Sequence, residues 1–282
     1  MKSRRYLVIG GAALALIAVV TGLSRLLPPS IDWRLTYRPA ALALLRGHNP
    51  YAADVAPDAP FAAAPWGLLP LIPLAILPLE MGSALLLLTS LAAFALAARR
   101  LGAGPMALAA FVLSPPVVHC LLNGNIEWLP LLGFSLPPQI GLFFIAVKPQ
   151  TGFAVGLFWL VEAWRGGGPR QVLRVFAPAT VTLLGSLLLF GPWPFHLNDL
   201  LTIAHRFNAS LWPTSIPVGL VLIVTAVRQR RIEYAMPASP CLSPYALFHS
   251  WSSALIALSA HPVEMVVAVI GLWVLVAIQS LS

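Results

Sequence analysis

Charged residues are scarce in this chain. Only 9% of its 282 residues are Asp, Glu, Lys or Arg, whereas 59% are hydrophobic. A soluble domain carries about a quarter charged residues, so the composition excludes an ordinary soluble enzyme. The mean hydropathy is +0.86, and several apolar runs are long enough to cross a hydrocarbon layer of about 30 Å. The sequence therefore predicts an all-α, polytopic membrane helix bundle with roughly eight to ten membrane segments.

Cysteines and nucleotide-binding motifs are almost absent. Cys120 and Cys241 lie in apolar surroundings, which favours two buried thiols over a disulfide or a metal site. Because there is no Gly-rich phosphate loop, a nucleotide-sugar donor and an ATP-driven pump are both disfavoured. The net charge of +8 comes from Lys and Arg near the ends of apolar runs, where such residues set topology. We therefore expect no nucleic-acid partner, no metal and no cofactor.

Proline and glycine, in contrast, are abundant, with 27 and 20 residues respectively. Backbone that faces lipid cannot be left unpaired, so helices broken by these residues must be shielded by protein or line a wet cavity. The chain contains no soluble segment of its own and no internal repeat. We predict a single membrane domain over residues 1–282, in which several helices are broken or re-entrant around a cavity.

The first apolar run sets the predicted orientation. Lys2, Arg4 and Arg5 precede an apolar run over residues 6–27. This run is long for a signal-peptide core and no Ala-x-Ala site follows it, so we interpret it as a retained first helix. The positive-inside rule then places the N-terminus in the cytoplasm and Ser30 outside.

Residues 28–79 are predicted to form an external juxtamembrane helical loop followed by a re-entrant piece. Arg99 and Arg100 end the next apolar run and are expected in the cytoplasm, which leaves one crossing, over residues 80–98. Segment 65–78 contains four prolines, and an interior proline destabilises a helix by about 3 kcal/mol. This segment is therefore predicted to stay at the outer face.

Broken helices are also predicted further along the chain. The turn Asn123–Trp128 is expected outside, and the basic turns at 164–174 and 228–231 are expected in the cytoplasm. Between the first two turns we predict three partial helices with a break at "VKPQ", because discontinuous helices of this kind mark binding sites in membrane proteins. The stretch "SPCLSPY" (239–245) is predicted to interrupt a helix at a cavity wall.

A dense polar block, "DWRLTYRPAALALLRGHNPY", follows the first apolar run and begins with Asp32. A carboxylate at this place can act as a general base that takes a proton from a hydroxyl nucleophile. Asp is also a good helix N-cap, so that interpretation is open as well. Arg34 and Arg38 are four residues apart and share a helical face. Such a pair can hold a phosphate or contact lipid headgroups.

Lys148 lies far from either end of its apolar stretch. A lysine at that depth faces a cavity or pairs with an anion, unless it snorkels to the interface. The break at Pro149 favours a site, and Gln150 adds a neutral donor beside it. Asn125 and Glu127 form part of a polar external turn, for which turn geometry alone is a sufficient explanation.

A second external block carries His196, Asp199 and His205. Their spacing matches no zinc template. We interpret them as solvated or, at most, as substrate contacts.

Five segments, in order, resemble those of membrane-embedded C-type glycosyltransferases of family 87, the polyprenyl-phosphate-mannose-dependent mannosyltransferases. They are "IDWRLTY", "LLRGHNPY", "HCLLNGNIEWLPLL", "IAVKPQTGF" and "SPCLSPY", which are spread over most of the chain. Relatives often show Asn-x-x-x-Gly-Gln in the third segment, whereas Asn125 stands here where Gln is common.

This resemblance implies that a hexose, with mannose favoured, is transferred with inversion from a polyprenyl-phosphate donor to a lipid or glycan acceptor. The reaction would take place on the outer face of a bacterial-type plasma membrane, without a metal and with Asp32 as the base. The implied substrate-binding residues are Arg34, Arg38, His48, Tyr51, Asn125, Glu127, Lys148, Gln150, Ser243 and Tyr245. Two alternatives are a transporter or flippase for a lipid-linked substrate, and a catalytically inactive relative.

Overall fold

The structure is a computed structural model that describes Ala15 and residues 17–195 and 207–281. Every regular element in these ranges is helical. His196, Asp199 and His205 lie outside the described residues. The predicted all-α architecture is confirmed for the part of the chain that the structure describes.

The polar block after the first helix forms a short helical arm. Helix α1 (Ile17–Leu26) is followed by a π-helical turn, Trp33–Tyr37, which runs directly into α2 (Arg38–Leu45). The indole nitrogen of Trp33 lies 3.4 Å from the carbonyl oxygen of Leu79. Trp33 is fully buried, so this arm is packed onto the protein along one side.

The proline-rich segment does not form a long helix. It contains a 3₁₀ helix (Pro65–Leu71) and a single turn, α3 (Ile72–Ala75). The Trp66 indole donates a hydrogen bond of 2.8 Å to the carbonyl of Phe143, and Leu68 and Leu71 are fully buried. The segment is thus packed against the rest of the protein.

The longest unbroken apolar helix is α4 (Leu79–Arg100), with Arg99 and Arg100 in its last turn. Helices α5 (Pro105–Val112) and α6 (Pro115–Asn123) follow and are bent by 54° relative to each other. Proline at residue 115 cannot donate a backbone hydrogen bond into the preceding turn, which explains the bend. The segment between α4 and the turn Asn123–Trp128 is therefore a bent pair of helices.

Three helices meet at the "VKPQ" break, as the sequence predicts. Helix α7 (Trp128–Phe134) packs on α8 (Pro138–Ile145), which in turn packs on α9 (Pro149–Phe190). Within α9 the backbone leaves helical geometry at Gly167 and Gly168, inside the basic turn predicted at 164–174.

The C-terminal third adds further helices around this centre. They are a 3₁₀ turn (Trp193–Phe195), α10 (Ile216–Gln229), α11 (Ile232–Leu242), a 3₁₀ turn (Phe248–Trp251), α12 (Ser252–Ile256) and α13 (Pro262–Leu281). Helix α11 packs against both α9 and α10, and the turn Phe248–Trp251 packs against α6. This last contact places the residues that follow "SPCLSPY" beside α6.

Three of the described helices, α4, α9 and α13, are long and apolar enough to cross a membrane, or four if the bent pair α5–α6 is one span. The eight to ten segments predicted from the sequence include broken and re-entrant ones, so that number stays a prediction. Prolines lie within the described apolar segments 65–75 and 232–242, whose helices are too short to span at 1.5 Å per residue. Part of the apolar sequence therefore forms short helices that pack against the rest of the protein.

Candidate functional site

A buried polar cluster lies where the helical arm, the turn after α6, the "VKPQ" break and the turn Phe248–Trp251 come together. We call it the central cluster, and its members are Asp32, Asn125, Glu127, Lys148, Thr151 and His249. Asn125 and Glu127 come from the turn after α6, whereas Lys148 and Thr151 come from the break before α9 and its first turn. Folding brings these two pairs together.

The break before Pro149 places the Lys148 side chain in this cluster. The residue before a proline is pushed out of helical geometry, and Lys148 accordingly adopts φ −134° and ψ 84°. Its side chain is only 5% exposed. Snorkelling to an interface is therefore the wrong interpretation, whereas the predicted pairing with an anion is what the structure has.

Glu127 is that anion. Its Oε2 atom lies 2.7 Å from the Lys148 ammonium, its Oε1 atom accepts a hydrogen bond from the Thr151 hydroxyl, and its side chain is fully buried. Thr151 belongs to the first turn of α9, where the helix dipole favours a negative charge. Turn geometry alone does not explain Glu127, since a buried carboxylate requires the partners it has here.

Asn125 connects this ion pair to Asp32. The Lys148 ammonium donates to Asn125 Oδ1 over 2.7 Å, and Asn125 Nδ2 donates to Asp32 Oδ2 over 2.6 Å. An ammonium only donates and a carboxylate only accepts, so the two partners fix which way the amide faces.

Gly124 allows this close approach. It ends α6 with φ +67°, a left-handed conformation that glycine adopts without strain. A Cβ atom at this position would lie 2.7 Å from Cβ of Trp33 and 3.1 Å from Cβ of Ser30. The missing side chain therefore lets the turn after α6 rest against the start of the helical arm, with Asn125 beside Asp32.

Asp32 is half-buried and is not a helix cap. Its backbone is helical and its carboxylate makes no capping hydrogen bond, so the N-cap interpretation is wrong. Asn125 is the single hydrogen-bond partner of its side chain among the described residues. The negative charge of Asp32 also reaches two buried tyrosines. Burial, and then this charge, raise the pKa of Tyr245 to about 12 and hold the pKa of Tyr37 well above its ordinary value.

Sequence reasoning missed two members of the central cluster, Thr151 and His249. The Nε2 atom of His249 lies 3.2 Å from the Lys148 ammonium, which can only donate, so Nε2 is the acceptor and Nδ1 carries the proton. Burial, together with the positive charge of Lys148, holds the pKa of His249 well below its ordinary value, and the ring is neutral. The ring also stacks on His119, with centroids 5.7 Å apart. A histidine four residues after "SPCLSPY" was the available signal.

The predicted phosphate-binding arginines differ in their surroundings. Arg34 is exposed and lines a cleft together with Ser24, Ser83 and Glu80. Arg38 donates from Nη2 to the carbonyl oxygen of Leu77 over 3.2 Å. The two residues share the arm, but Arg38 fastens it to the proline-rich segment.

Three other predicted residues, His48, Tyr51 and Gln150, are not among the members of the central cluster. His48 is exposed in the turn after α2, and Gln150 is half-exposed in the first turn of α9. The Tyr51 hydroxyl donates to the carbonyl oxygen of Ala63 over 2.6 Å, and its ring stacks on Trp193. Tyr51 therefore packs the loop after the arm against the proline-rich segment, and its predicted contact with substrate stays a prediction.

Ser243 and Tyr245 form a tight turn that ends α11. The Ser243 hydroxyl donates to the carbonyl oxygen of Tyr245 over 2.5 Å, so it is occupied within its own turn. Tyr245 is buried and its hydroxyl makes no hydrogen bond with a described residue. Since its high pKa keeps the hydroxyl protonated, Tyr245 is a free donor close enough to feel the charge of Asp32.

In comparisons with known proteins, no family model, no curated protein and no solved structure matches this chain.

Proposed function

We propose that this protein transfers a hexose, with mannose favoured, from a polyprenyl-phosphate donor to a hydroxyl of a lipid or glycan acceptor. The observation that carries the proposal is the half-buried carboxylate of Asp32, which holds one hydrogen bond, from Asn125, and leaves its other oxygen without a partner among the described residues. A carboxylate with one fixed and one open oxygen is suited to general-base work. The resemblance of five sequence segments to family 87 supports the same reaction.

In the proposed reaction, the open oxygen of Asp32 accepts the proton of the acceptor hydroxyl. The hydroxyl oxygen attacks the anomeric carbon and forms the new glycosidic bond. The bond between the anomeric carbon and the phosphate oxygen breaks, and its electron pair leaves with the lipid phosphate. Attack from the side opposite the leaving group inverts the anomeric centre.

The departing phosphate needs a positive partner where its charge develops. Arg34 fits this role, because it is exposed two residues after Asp32 and lines the cleft at the end of α1. Glu80 lines the same cleft, so a sugar hydroxyl placed between the two side chains would find both a donor and an acceptor. Arg38 instead fastens the arm to the proline-rich segment through its hydrogen bond to the carbonyl oxygen of Leu77.

An apolar groove next to the central cluster fits the lipid part of the donor. It has a volume of about 350 Å³ and begins at Pro149, directly after Lys148, with Trp66, Ile145, Phe153, Leu183 and Trp193 along its walls. Apolar and aromatic walls favour a prenyl chain over a polar ligand.

The proposal places the protein across a membrane several times, with its N-terminus in the cytoplasm and Asp32 outside. Two basic turns support this orientation, because the Arg165 guanidinium donates to the carbonyl oxygen of Val227 over 2.6 Å and so joins turn 164–174 to turn 228–231. Clustered arginines are typical of the cytoplasmic side.

Purified protein in sealed vesicles, given polyprenyl-phosphate hexose labelled separately in the sugar and in the lipid, tests the proposal. We expect the sugar label to leave the lipid in the presence of a hydroxyl acceptor, and labelled polyprenyl phosphate to accumulate. Movement of both labels together across the vesicle membrane, with the sugar still attached, would instead identify a transporter. If neither the loss of the sugar label nor the movement of both labels is observed, both functions are contradicted.

A further inference from the structure

The ammonium of Lys148 is fully occupied within the protein. Lysine has three N–H donors, and they face Asn125 Oδ1 and Glu127 Oε2, each at 2.7 Å, and His249 Nε2 at 3.2 Å. With 5% of the residue exposed, no donor is left over for a phosphate. The sequence alone predicted Lys148 as a substrate-binding cation, and these contacts point to a different use.

We propose that Lys148 and Glu127 are positioning residues that act on Asp32 through the side-chain amide of Asn125. This inference rests on the proposed function in one respect, namely that Asp32 is the base. The ammonium holds the carbonyl oxygen of Asn125 inward, so that the amide NH₂ faces outward and occupies one oxygen of Asp32. The other oxygen of Asp32 is thereby left open towards the acceptor.

The charges of the central cluster explain why a lysine is required. Asp32 and Glu127 are two carboxylates, and Lys148 is the one cation that contacts either of them directly in residues 17–195 and 207–281. His249 is neutral and accepts from Lys148 rather than adding positive charge. A buried ion pair that loses one partner leaves the other charge uncompensated, which is strongly destabilising.

Loss of Lys148 would also change the orientation of the Asn125 amide. Glu127 Oε2 and Asn125 Oδ1 both contact the same ammonium, so the two side chains become neighbours when that ammonium is removed. A carboxylate only accepts, so Glu127 would draw the NH₂ group of Asn125 inward, away from Asp32. A carboxamide at residue 127 can donate instead, and would return the carbonyl of Asn125 to its inward position.

The experiment compares Lys148→Met, Glu127→Gln and the double variant with the unmodified protein, measuring kcat and KM for the polyprenyl-phosphate hexose. We expect Lys148→Met to lower kcat about 100-fold, as displaced catalytic groups do, with KM changed less than about threefold. We expect kcat of the double variant to be about tenfold higher than kcat of Lys148→Met. A rise of KM of about tenfold or more at unchanged kcat, or no recovery in the double variant, would overturn the inference in favour of phosphate binding.

A second variant covers the case in which Lys148→Met does not fold. Asn125→Ala leaves the ion pair intact and removes only the link to Asp32, so we expect the same fall in kcat with little change in KM. Asn123→Ala is the matched control, because the Asn123 amide donates to the carbonyl oxygen of His119 within its own helix. Equal kcat values for the two alanine variants would contradict the positioning role.

A measurement that does not depend on sugar transfer separates this inference from the proposed function. The chain contains four aspartates, so carboxyl-selective ¹³C labelling gives four resonances, and Asp32→Asn identifies that of Asp32. At constant pH we expect this resonance to move in Lys148→Met and in Asn125→Ala, and to stay fixed in Asn123→Ala. An immobile resonance overturns the positioning link, whereas absent sugar transfer in the unmodified protein overturns only the proposed function.

Discussion

Asp32 takes its chemical character from one neighbour. The carboxylate accepts a hydrogen bond from Asn125 and makes no cap for the helix that follows it. A capping carboxylate would accept a hydrogen bond from a backbone N–H group of the first turn. The observed arrangement instead leaves the side chain attached to the centre of the protein and open on one side, which is the arrangement a base needs.

His249 gives the central cluster a pH dependence whose sign is defined. The pKa of His249 in the folded protein is lowered by burial and by Lys148. Below about pH 6.5 this histidine is therefore protonated in the unfolded chain, whereas it stays neutral in the folded protein. Stability is unaffected above that pH and falls as the pH is lowered through it, by up to about 1.4 kcal/mol per pH unit.

We therefore expect the free energy of unfolding in detergent to fall less steeply between pH 6.5 and 5 in His249→Gln than in the unmodified protein. The glutamine carbonyl can still accept from Lys148, so the cluster keeps its hydrogen bond. His261→Gln is the control, since His261 is exposed. A slope in His249→Gln equal to that of the unmodified protein would show that this histidine is not the buried neutral group.

The sequence identified the buried cation but not its partner. The depth of Lys148 within an apolar stretch was visible directly, because buried charges are rare in such sequences. Glu127 lies 21 residues earlier in a turn that looked solvated, and nothing in its local pattern distinguishes it from a surface residue. Its burial depends on the packing of α7, α8 and α9, which is information that no short segment contains.

The turn between α6 and α7 is the element on which the geometry of the central cluster depends most. Gly124 has a positive φ and lies against Trp33 and Ser30, whereas Gly47 has a φ of +75° with no atom near its Cβ position. Alanine at residue 47 should therefore lower stability by about 1–2 kcal/mol through backbone strain alone.

Gly124→Ala should lower stability by about 2–4 kcal/mol, because overpacking adds to the strain, and it should also lower sugar transfer by displacing Asn125. Thermal or chemical unfolding of the two alanine variants, followed by the transfer assay, provides the measurement. Similar losses of stability in both variants, with transfer retained in Gly124→Ala, would mean that the contact with Trp33 does not position the cluster.

Several element boundaries were predictable because proline or glycine marks them. The break at "VKPQ", the non-helical backbone at Gly167 and Gly168, and the end of α11 at "SPCLSPY" all lie where the sequence indicates. The bend between α5 and α6 was missed, although Pro115 and Pro116 mark it. An almost uniformly apolar segment hides helical periodicity, so a single long segment was the simpler interpretation.

At the scale of the whole molecule, the basic turns and the central cluster are formed by different segments of the chain. Arg165 joins two arginine-rich turns, while Asp32, Asn125, Glu127 and Lys148 gather where the arm meets the helix breaks. The side of a membrane on which each group lies stays a prediction from the positions of Lys and Arg. The predicted number of membrane segments also stays a prediction, because apolar composition alone does not distinguish a spanning helix from a short, packed one.

The central claim, that Asp32 is the base of a sugar transfer, is tested most directly by Asp32→Asn. The asparagine keeps the size of the side chain and cannot accept the proton, whereas Asp58→Asn changes an exposed loop carboxylate and serves as the control. We measure the release of labelled hexose from polyprenyl phosphate by folded protein in vesicles. The proposed mechanism predicts a fall of about 100- to 10,000-fold in Asp32→Asn and none in Asp58→Asn, and full transfer by Asp32→Asn would contradict it.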